Sequence, residues 1–411
     1  MDRGGAAATE RPATPIGIAK LSQMMFGGDD LSSLWRDLIG KYIYQGHDAA
    51  ALMDLAVVEQ LFGNKEDGLA RQADALELCR LYRSPLATAA PSLTLLAFAA
   101  PGDIGTNTPL EFLLQDTDIA LETLYVVPGL PLPEAPPAHD IAIVAVGESD
   151  INKPILDRIG ALTARWQRPV LNRPDRILEL SRERLYTVLA GVPGLLMPMT
   201  ERVERADFAG LGRDAARLTE LLPDGVFPLI ARPVGSHAGN GLQKLNTAAA
   251  IEPYLAERPE SAFCISRFVD YRGGDGLFRK YRIVFIDGRP YACHMAITDQ
   301  WMIYYLNADM KGSAAKRAEE AQFFSDFDTG FAQRHGAALA AIADRVGLDY
   351  FGIDCAETGG GQLLLFEADI AMIVHAMDSA DTFPYKPPQM RKVFDAFAAM
   401  VRRRVQQPAH A

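Results

Sequence analysis

The segment Phe227 to Leu245, FPLIARPVGSHAGNGLQKL, sets Gly235, Gly239 and Gly241 between two cations, Arg232 and Lys244. Glycine has no Cβ, so such a loop lets backbone N–H groups approach phosphate oxygens, while the flanking cations keep their charge when water is excluded. Apolar residues on either side read as two strands. The whole is a hairpin able to close over a nucleotide triphosphate, with Ser236 and His237 in its loop. Asn240-Gly241 is equally an ordinary turn dipeptide, so the reading depends on what the rest of the chain offers.

A second hairpin offers carboxylates. YFGIDCAE and QLLLFEAD flank Gly359, Gly360 and Gly361, and strand alternation places Leu363, Leu365, Glu367 and Asp369 on one face. If Glu357 pairs with Gln362, Asp354 joins that face and three carboxylates converge. Like charges so close need a cation, and an oxygen-only set suits Mg²⁺, or Mn²⁺, bound together with nucleotide phosphates. The competing reading is that these acids merely occupy exposed strand ends; the apolar settings FGIDC and LLLF speak against it. In RKYRIVFI, Lys280 and Arg282 alternate onto one face, and the facing strand RPYACHMAI carries His294. Exposed strand ends commonly carry Lys or Arg, and a lone strand histidine is more often structural than functional.

The elements that would position these groups follow from periodicity. Residues 1–29 read as a flexible lead. Residues 30–90 turn helical, with Leu52, Leu55, Val58 and Phe62 on one helix face and Leu69, Ala73, Leu76 and Cys79 on the next. From residue 91 to 190, short apolar strands (Leu93 to Ala99, Leu121 to Val127, Ile141 to Val146, Pro169 to Leu171) alternate with helices, the pattern of a parallel α/β sheet. Gly191 to Pro198 reads as a link. Residues 191–405 are richer in antiparallel hairpins, including one turning at Asp287-Gly288, and residues 406–411 are a tail.

Bulk properties exclude several classes. A chain of 411 residues, 49% hydrophobic and 23% charged, is globular with two to three domains expected by length. A formal charge of −11 argues against general nucleic-acid binding. No apolar run reaches membrane-span length and the first residues lack a signal-peptide core, so the expected location is cytoplasmic. Cys79, Cys264, Cys293 and Cys355 form no CxxC pair and read as buried thiols. No Ser-His-Asp or Cys-His arrangement stands out.

Taken in order, the glycine hairpin with its cations, the basic strand, GID and the Glu-x-Asp strand end resemble the ATP-grasp superfamily, nearest to its glutathione synthetase and ribosomal-protein glutamate ligase branch. The resemblance runs from about Leu93 to Met400, and the helical N-terminus lies outside it. It implies a helical N-terminal domain, a parallel α/β pre-ATP-grasp domain and a two-lobed ATP-grasp domain of antiparallel sheets and helices, an α/β with α+β fold. By position it implies that Arg232 contacts α- and β-phosphates, that the loop with Gly235, Ser236, His237, Gly239 and Gly241 covers them, and that Lys244 and Lys280 lie at the nucleotide. Phe268 and Val269 match the hinge whose backbone meets adenine, Asp270 a ribose contact, and Arg282 a cation near the transferred phosphate. Asp354, Glu367 and Asp369 match the metal-binding triad, Asn307 a substrate-proximal loop, and His294 a substrate contact.

Three departures stand out: Asp369 replaces the usual Asn, Arg267 replaces a hinge Glu, and IAMIVHAMD follows the triad in place of a small residue and Pro-Gly. The implied reaction is ADP-forming ligation of a carboxylate to an amine, or a thiol, through an acyl phosphate with Mg-ATP. Its partners would be small-molecule carboxylate and amine substrates or a peptide, with a homodimer contact and a protein partner at the helical N-terminal domain also in view, and neither nucleic acid nor membrane. The alternative is a non-catalytic nucleotide-binding or scaffold protein. Asn107, in PGDIGTNTP, is a substrate contact by position alone, and Trp301, Tyr304 and Tyr305 read as core or pocket wall.

Overall fold

Leu93–Ala99, Ile119–Tyr125 and Ile141–Val144 are nearly continuous apolar runs, and in the computed structural model they become β2, β3 and β4 of a sheet buried on both faces. The structure describes residues 11–406, apart from 46, 87–89, 134–135, 237–238 and 304–306. With β1 (Leu81–Arg83) and β5 (Val170–Leu171) the sheet order is β1-β3-β2-β4-β5, all pairs parallel except β1 with β3. The mixture of this parallel sheet, antiparallel sheets and helices is the expected fold class.

The chain divides into two compact units. The first comprises Met1–Ile177, Leu348–Phe351 and Asp369–Ala411; the second comprises Leu178–Gly347 and Gly352–Ala368. This differs from the boundaries read in the sequence. The helical region joins the parallel sheet instead of standing alone, because its end, β1, is the edge strand of that sheet. The long C-terminal helix Lys386–Val405 falls with the first unit.

In the first unit, α1 (Ile18–Gly27), α2 (Ser32–Gln45) and α3 (Ala49–Leu61) pack through Leu21, Leu38, Leu55 and Val58, and α4 (Lys65–Leu78) packs against α3 through Ala75 and Leu76 with Leu52 and Met53. The lead is therefore corrected: from Arg11 onward it is structured. Ala13 bridges Tyr82, and the start of α1 is held by the Asp54 carboxylate, which accepts from the Ile16 and Gly17 amides at 2.8 and 3.1 Å. Along α3, Leu52, Leu55 and Val58 are buried as expected, but Phe62 is exposed. The buried face of α4 is also turned from the expected one. Ala73 is exposed, while Gly68, Gln72, Ala75 and Leu76 face inward. Gly68 lets the two helices approach, since a Cβ there would lie 2.7 Å from the Ala56 carbonyl oxygen, and Gln72 exchanges hydrogen bonds with the Gly102 backbone. Asn107 bonds both the N–H and the C=O of Ala100, each at 2.8 Å, and so pins the loop after β2.

The second unit holds two sheets, one antiparallel and one mixed. One is a four-stranded sheet in the order β7 (Thr200–Glu204), β10 (Ala262–Arg267), β8 (Leu229–Pro233) and β9 (Gln243–Leu245), over a core including Phe208, Tyr254 and Phe263. The other runs β12 (Arg289–Thr298), β11 (Phe278–Ile286), β13 (Tyr350–Glu357), β14 (Leu363–Asp369) and β6 (Leu195–Leu196). The expected link Gly191 to Pro198 thus contributes β6, paired parallel with β14. The expected helix from Phe331 to Val346 breaks at His335, whose Nε2 lies 2.8 Å from Glu357 Oε1. All four cysteines are buried, and among the described residues no helix is long and apolar enough to cross a membrane.

Candidate functional site

The glycine segment forms the hairpin its pattern predicts: β8 and β9 pair in register Ile230 with Lys244, and Gly235, Gly239 and Gly241 all take positive φ. Gly241 is constrained twice, because a Cβ there would also sit 2.6 Å from Pro233 Cδ. Arg232, near the end of β8, turns back onto the loop, donating through Nε to Ser236 Oγ at 3.1 Å and through Nη2 to the Ser236 carbonyl. Burial, then the neighbouring charge of Arg182, lowers its pKa to about 10, so it remains a cation at neutral pH but a poorly compensated one. His237 lies outside the described residues.

Facing groups come from β11, β13 and β14. Strand alternation sends Lys280 and Arg282 to one side of β11, while Arg279 goes to Asp275 and Glu319 on the other. Arg282 grips Asp354 with Nε at 2.7 Å and Nη2 at 3.0 Å, and Lys280 Nζ reaches the same carboxylate at 2.9 Å. A β-bulge follows Arg282, and His294 lies opposite it. Burial alone would raise Asp354, but the charges of Arg282 and Lys280 outweigh it and hold the carboxyl far below the ordinary range. Arg282, conversely, is held above the ordinary guanidinium value, because the Asp354 charge overcomes its desolvation.

Glu367, on β14, is half-buried and also held ionised. Desolvation and the Asp354 charge push it up, while Arg182, Arg232 and Lys280 pull it down, and the cations win. Arg182 Nη2 lies 2.5 Å from Glu367 Oε2, and Arg232 Nη1 lies 4.0 Å from it. The sequence reading missed Arg182. It opens the helix Arg182–Leu189, far along the chain from Glu367, and only its place as the first helical residue after Ser181 sets it apart. These six side chains bring four cations to two carboxylates, a local positive excess in a chain of net charge −11.

The hinge residues follow β10 directly. Lys244 Nζ stands 3.8 Å over the Phe268 ring, which also packs edge-on against Trp301. The Phe268 amide bonds the Pro228 carbonyl, Val269 is half-buried, and Asp270 is exposed and accepts from the Arg272 amide. Arg267 is taken up by Asp224 at 2.8 Å. Asn307 donates to the Met302 carbonyl, while Tyr304 and Tyr305 lie outside the described residues. Asp369 belongs to the first unit, where its Oδ1 accepts from the Ala371 amide.

The turn between β13 and β14 closes through Thr358 N–H to the Gln362 carbonyl, one residue later on the first strand than the pairing of Glu357 with Gln362 assumed. Among the described residues no three acidic, histidine or cysteine side chains are gathered to hold a metal by themselves. Two ionised carboxylates nevertheless suit Mg²⁺, which is usually bound through one or two carboxylates together with substrate phosphates and seldom in an all-protein cage.

No protein-family model and no curated protein matches this sequence. Among solved structures, the chain is similar to a RimK domain protein ATP-grasp from Sphaerobacter thermophilus, with 18% identity over 76% of this chain and 100% of that one and a TM-score of 0.42. It is also similar to D-alanine–D-alanine ligase from Bacillus anthracis complexed with ATP, with 12% identity over 77% and 99% and a TM-score of 0.44. A third similarity is to the VanG D-Ala:D-Ser ligase from Enterococcus faecalis, with 11% identity over 75% and 98% and a TM-score of 0.46.

Proposed function

We propose that the chain is an ATP-dependent ligase of the ATP-grasp kind, joining a carboxylate to an amine and releasing ADP and phosphate. The observation that carries this reading is the excess of cations around Glu367 and Asp354 beside a positive-φ glycine hairpin. Half-buried cations outnumbering their carboxylates in one place leave attraction for an anion, and a triphosphate is the anion a glycine hairpin accommodates.

In the proposed reaction a substrate carboxylate oxygen attacks the γ-phosphorus of ATP and the bond to the β–γ bridging oxygen breaks, giving an acyl phosphate and ADP. The amine nitrogen then attacks the acyl carbon, phosphate leaves, and the nitrogen loses a proton. Arg232 and Arg182 bind phosphate oxygens, and glycine-loop N–H groups orient them. Lys280 and Arg282 balance the charge that spreads over the transferred group, and the closed hairpin excludes water. Asp354 and Glu367 would hold Mg²⁺, whose charge offsets that of the phosphates when bound. His294 and Asn307 are assigned to the substrate end, and Lys244, Phe268, Val269 and Asp270 to the adenosine end.

The test is ADP release with Mg²⁺, ATP and a panel of amino acids and other carboxylates, with hydroxylamine to trap the acyl phosphate. Substrate-dependent ADP release and a hydroxamate are expected from the wild type. The Glu367→Gln variant should lose at least about a hundredfold in rate, the scale of one lost charge-stabilising contact. Equal release from both proteins sinks the assignment.

A further inference from the structure

The first unit contains a partly open cavity of about 120 Å³ that shares no residue with the proposed nucleotide clamp. It exists because the sheet is lined there with small side chains: Ala97 and Ala99 of β2, and Ala145 just beyond β4. Gly17 also permits it, since a Cβ there would lie 2.6 Å from Glu111 Oε2. The location is one that parallel sheets use for ligands. β2 and β4 are neighbours whose onward connections run to opposite sides, toward β3 and β5, and the cavity lies over the face of β1, β2 and β3 and reaches the loop after β2 and Ala145, beside this topological switch point.

Its polar lining has a definite character. Asp54 and Glu111 both face it; Asp54 accepts the Ile16 and Gly17 amides, and Glu111 accepts the Ala19 amide at 2.9 Å and the Ser84 hydroxyl at 3.0 Å. Those bonds tie down the start of α1 but bring no positive charge, and among the described residues neither carboxyl forms an ion pair. Burial pushes both carboxyls above their ordinary values, Asp54 to about 6, against the lowering effect of the hydrogen bonds they accept, and at Asp54 Lys41 is the one cation that opposes the rise. β3 alternation turns Thr123 and Tyr125 into the same space, and among the described residues neither hydroxyl makes a side-chain hydrogen bond. Tyr125 is half-buried, and desolvation, with the charge of Glu111 added, raises its phenol well above the ordinary value.

We propose that this cavity binds a small organic cation, an ammonium or amidinium of about six non-hydrogen atoms by analogy with cavities that hold benzene, held by the carboxylates of Asp54 and Glu111 and the hydroxyls of Thr123 and Tyr125. A neutral or anionic occupant leaves two carboxyl charges uncompensated in apolar surroundings, whereas a cation with several N–H donors satisfies both carboxylates and hydroxyls.

The test measures thermal stability and calorimetric binding of the full chain with acetamidine, ethanolamine and propylamine, each against a neutral counterpart: acetamide, ethylene glycol and propanol. Stabilisation by at least one cation and by none of the neutral molecules is expected. Glu111→Gln should weaken its affinity at least about tenfold, as loss of a charged hydrogen-bond partner does. Thr123→Val, which keeps shape, should weaken it severalfold, and Ala97→Leu, which fills the space, should abolish binding. Melting of each variant without probe separates misfolding from lost binding. If no cation outperforms its neutral counterpart, or if Thr123→Val and Ala97→Leu respond as the wild type does, the cavity is a water-filled packing defect and the proposal falls.

Discussion

Replacing Asp354 by Asn tests whether the cation excess is a consequence of the fold or a site built for anions. Asp354 is 3% exposed and accepts from Arg282 twice and Lys280 once, at 2.7, 3.0 and 2.9 Å. Asparagine preserves volume but removes the charge, stranding two cations. Breaking a buried pair in this way costs roughly 3–5 kcal/mol. The lower end applies, because the Lys280 and Arg282 side chains keep 14% and 18% of their exposure and water can reach them. The expected loss is therefore about 3 kcal/mol, read as a lower urea midpoint of the second unit. The sharper expectation concerns phosphate. Inorganic phosphate or ATP at millimolar concentration should restore a large part of the midpoint in the variant and much less in the wild type, because the anion takes the place of the missing carboxylate. ADP release should fall with the lost charge even where ATP still binds. If the variant melts with the wild type, the ion cluster has no energetic role; if it is destabilised but phosphate restores nothing, the cations do not face an anion site and the proposed clamp is wrong.

Two further outcomes are expected. Gly241→Ala should cost about 1–2 kcal/mol for its left-handed backbone alone, with the contact to Pro233 added. It should weaken ATP binding severalfold by titration, whereas Gly274→Ala, which meets nothing within 4 Å, should change neither quantity. Asp54, raised to about 6 chiefly by burial and also facing Glu111, Asp48 and Lys41, binds its proton more tightly folded than unfolded, so its contribution to stability grows as pH falls through 6 toward 3.8. Between about pH 7.5 and pH 5.5 that gain is roughly 1 kcal/mol in urea midpoints, and a wild-type profile that falls or stays flat there, with Asp54→Ala unchanged from it, contradicts the assignment.

The hairpins were legible because their signals are local. Period-two apolar alternation, Gly-rich turns and the Asp287-Gly288 dipeptide set β8–β9, β11–β12 and β13–β14 without reference to distant residues. The convergence of Lys280 and Arg282 on Asp354 was half legible: alternation put both cations on one face of β11, but only the order β12-β11-β13-β14 sets that face against β13. Arg182 was not legible, since nothing in SRERLY marks which of its two arginines will meet Glu367 and which, as Arg184 does, will pair with Glu179 at the surface. The N-terminal lead failed for a related reason. Its Ala- and Pro-rich composition reads as unstructured, and what orders it is a set of distant carboxyls, Asp54 and Glu111, receiving its amides. The α4 face was misread because hydrophobicity ranks Ala73 above Gln72, whereas burial there is decided by the two hydrogen bonds Gln72 makes with Gly102. Each of these three misses turns on a polar group whose position is set by a partner remote in sequence. Apolar periodicity therefore delivers the scaffold, and the charges that do chemistry on it emerge only when the strand order is known; the pairing of Glu367 with a helix-start arginine is the contact on which the proposed clamp most depends.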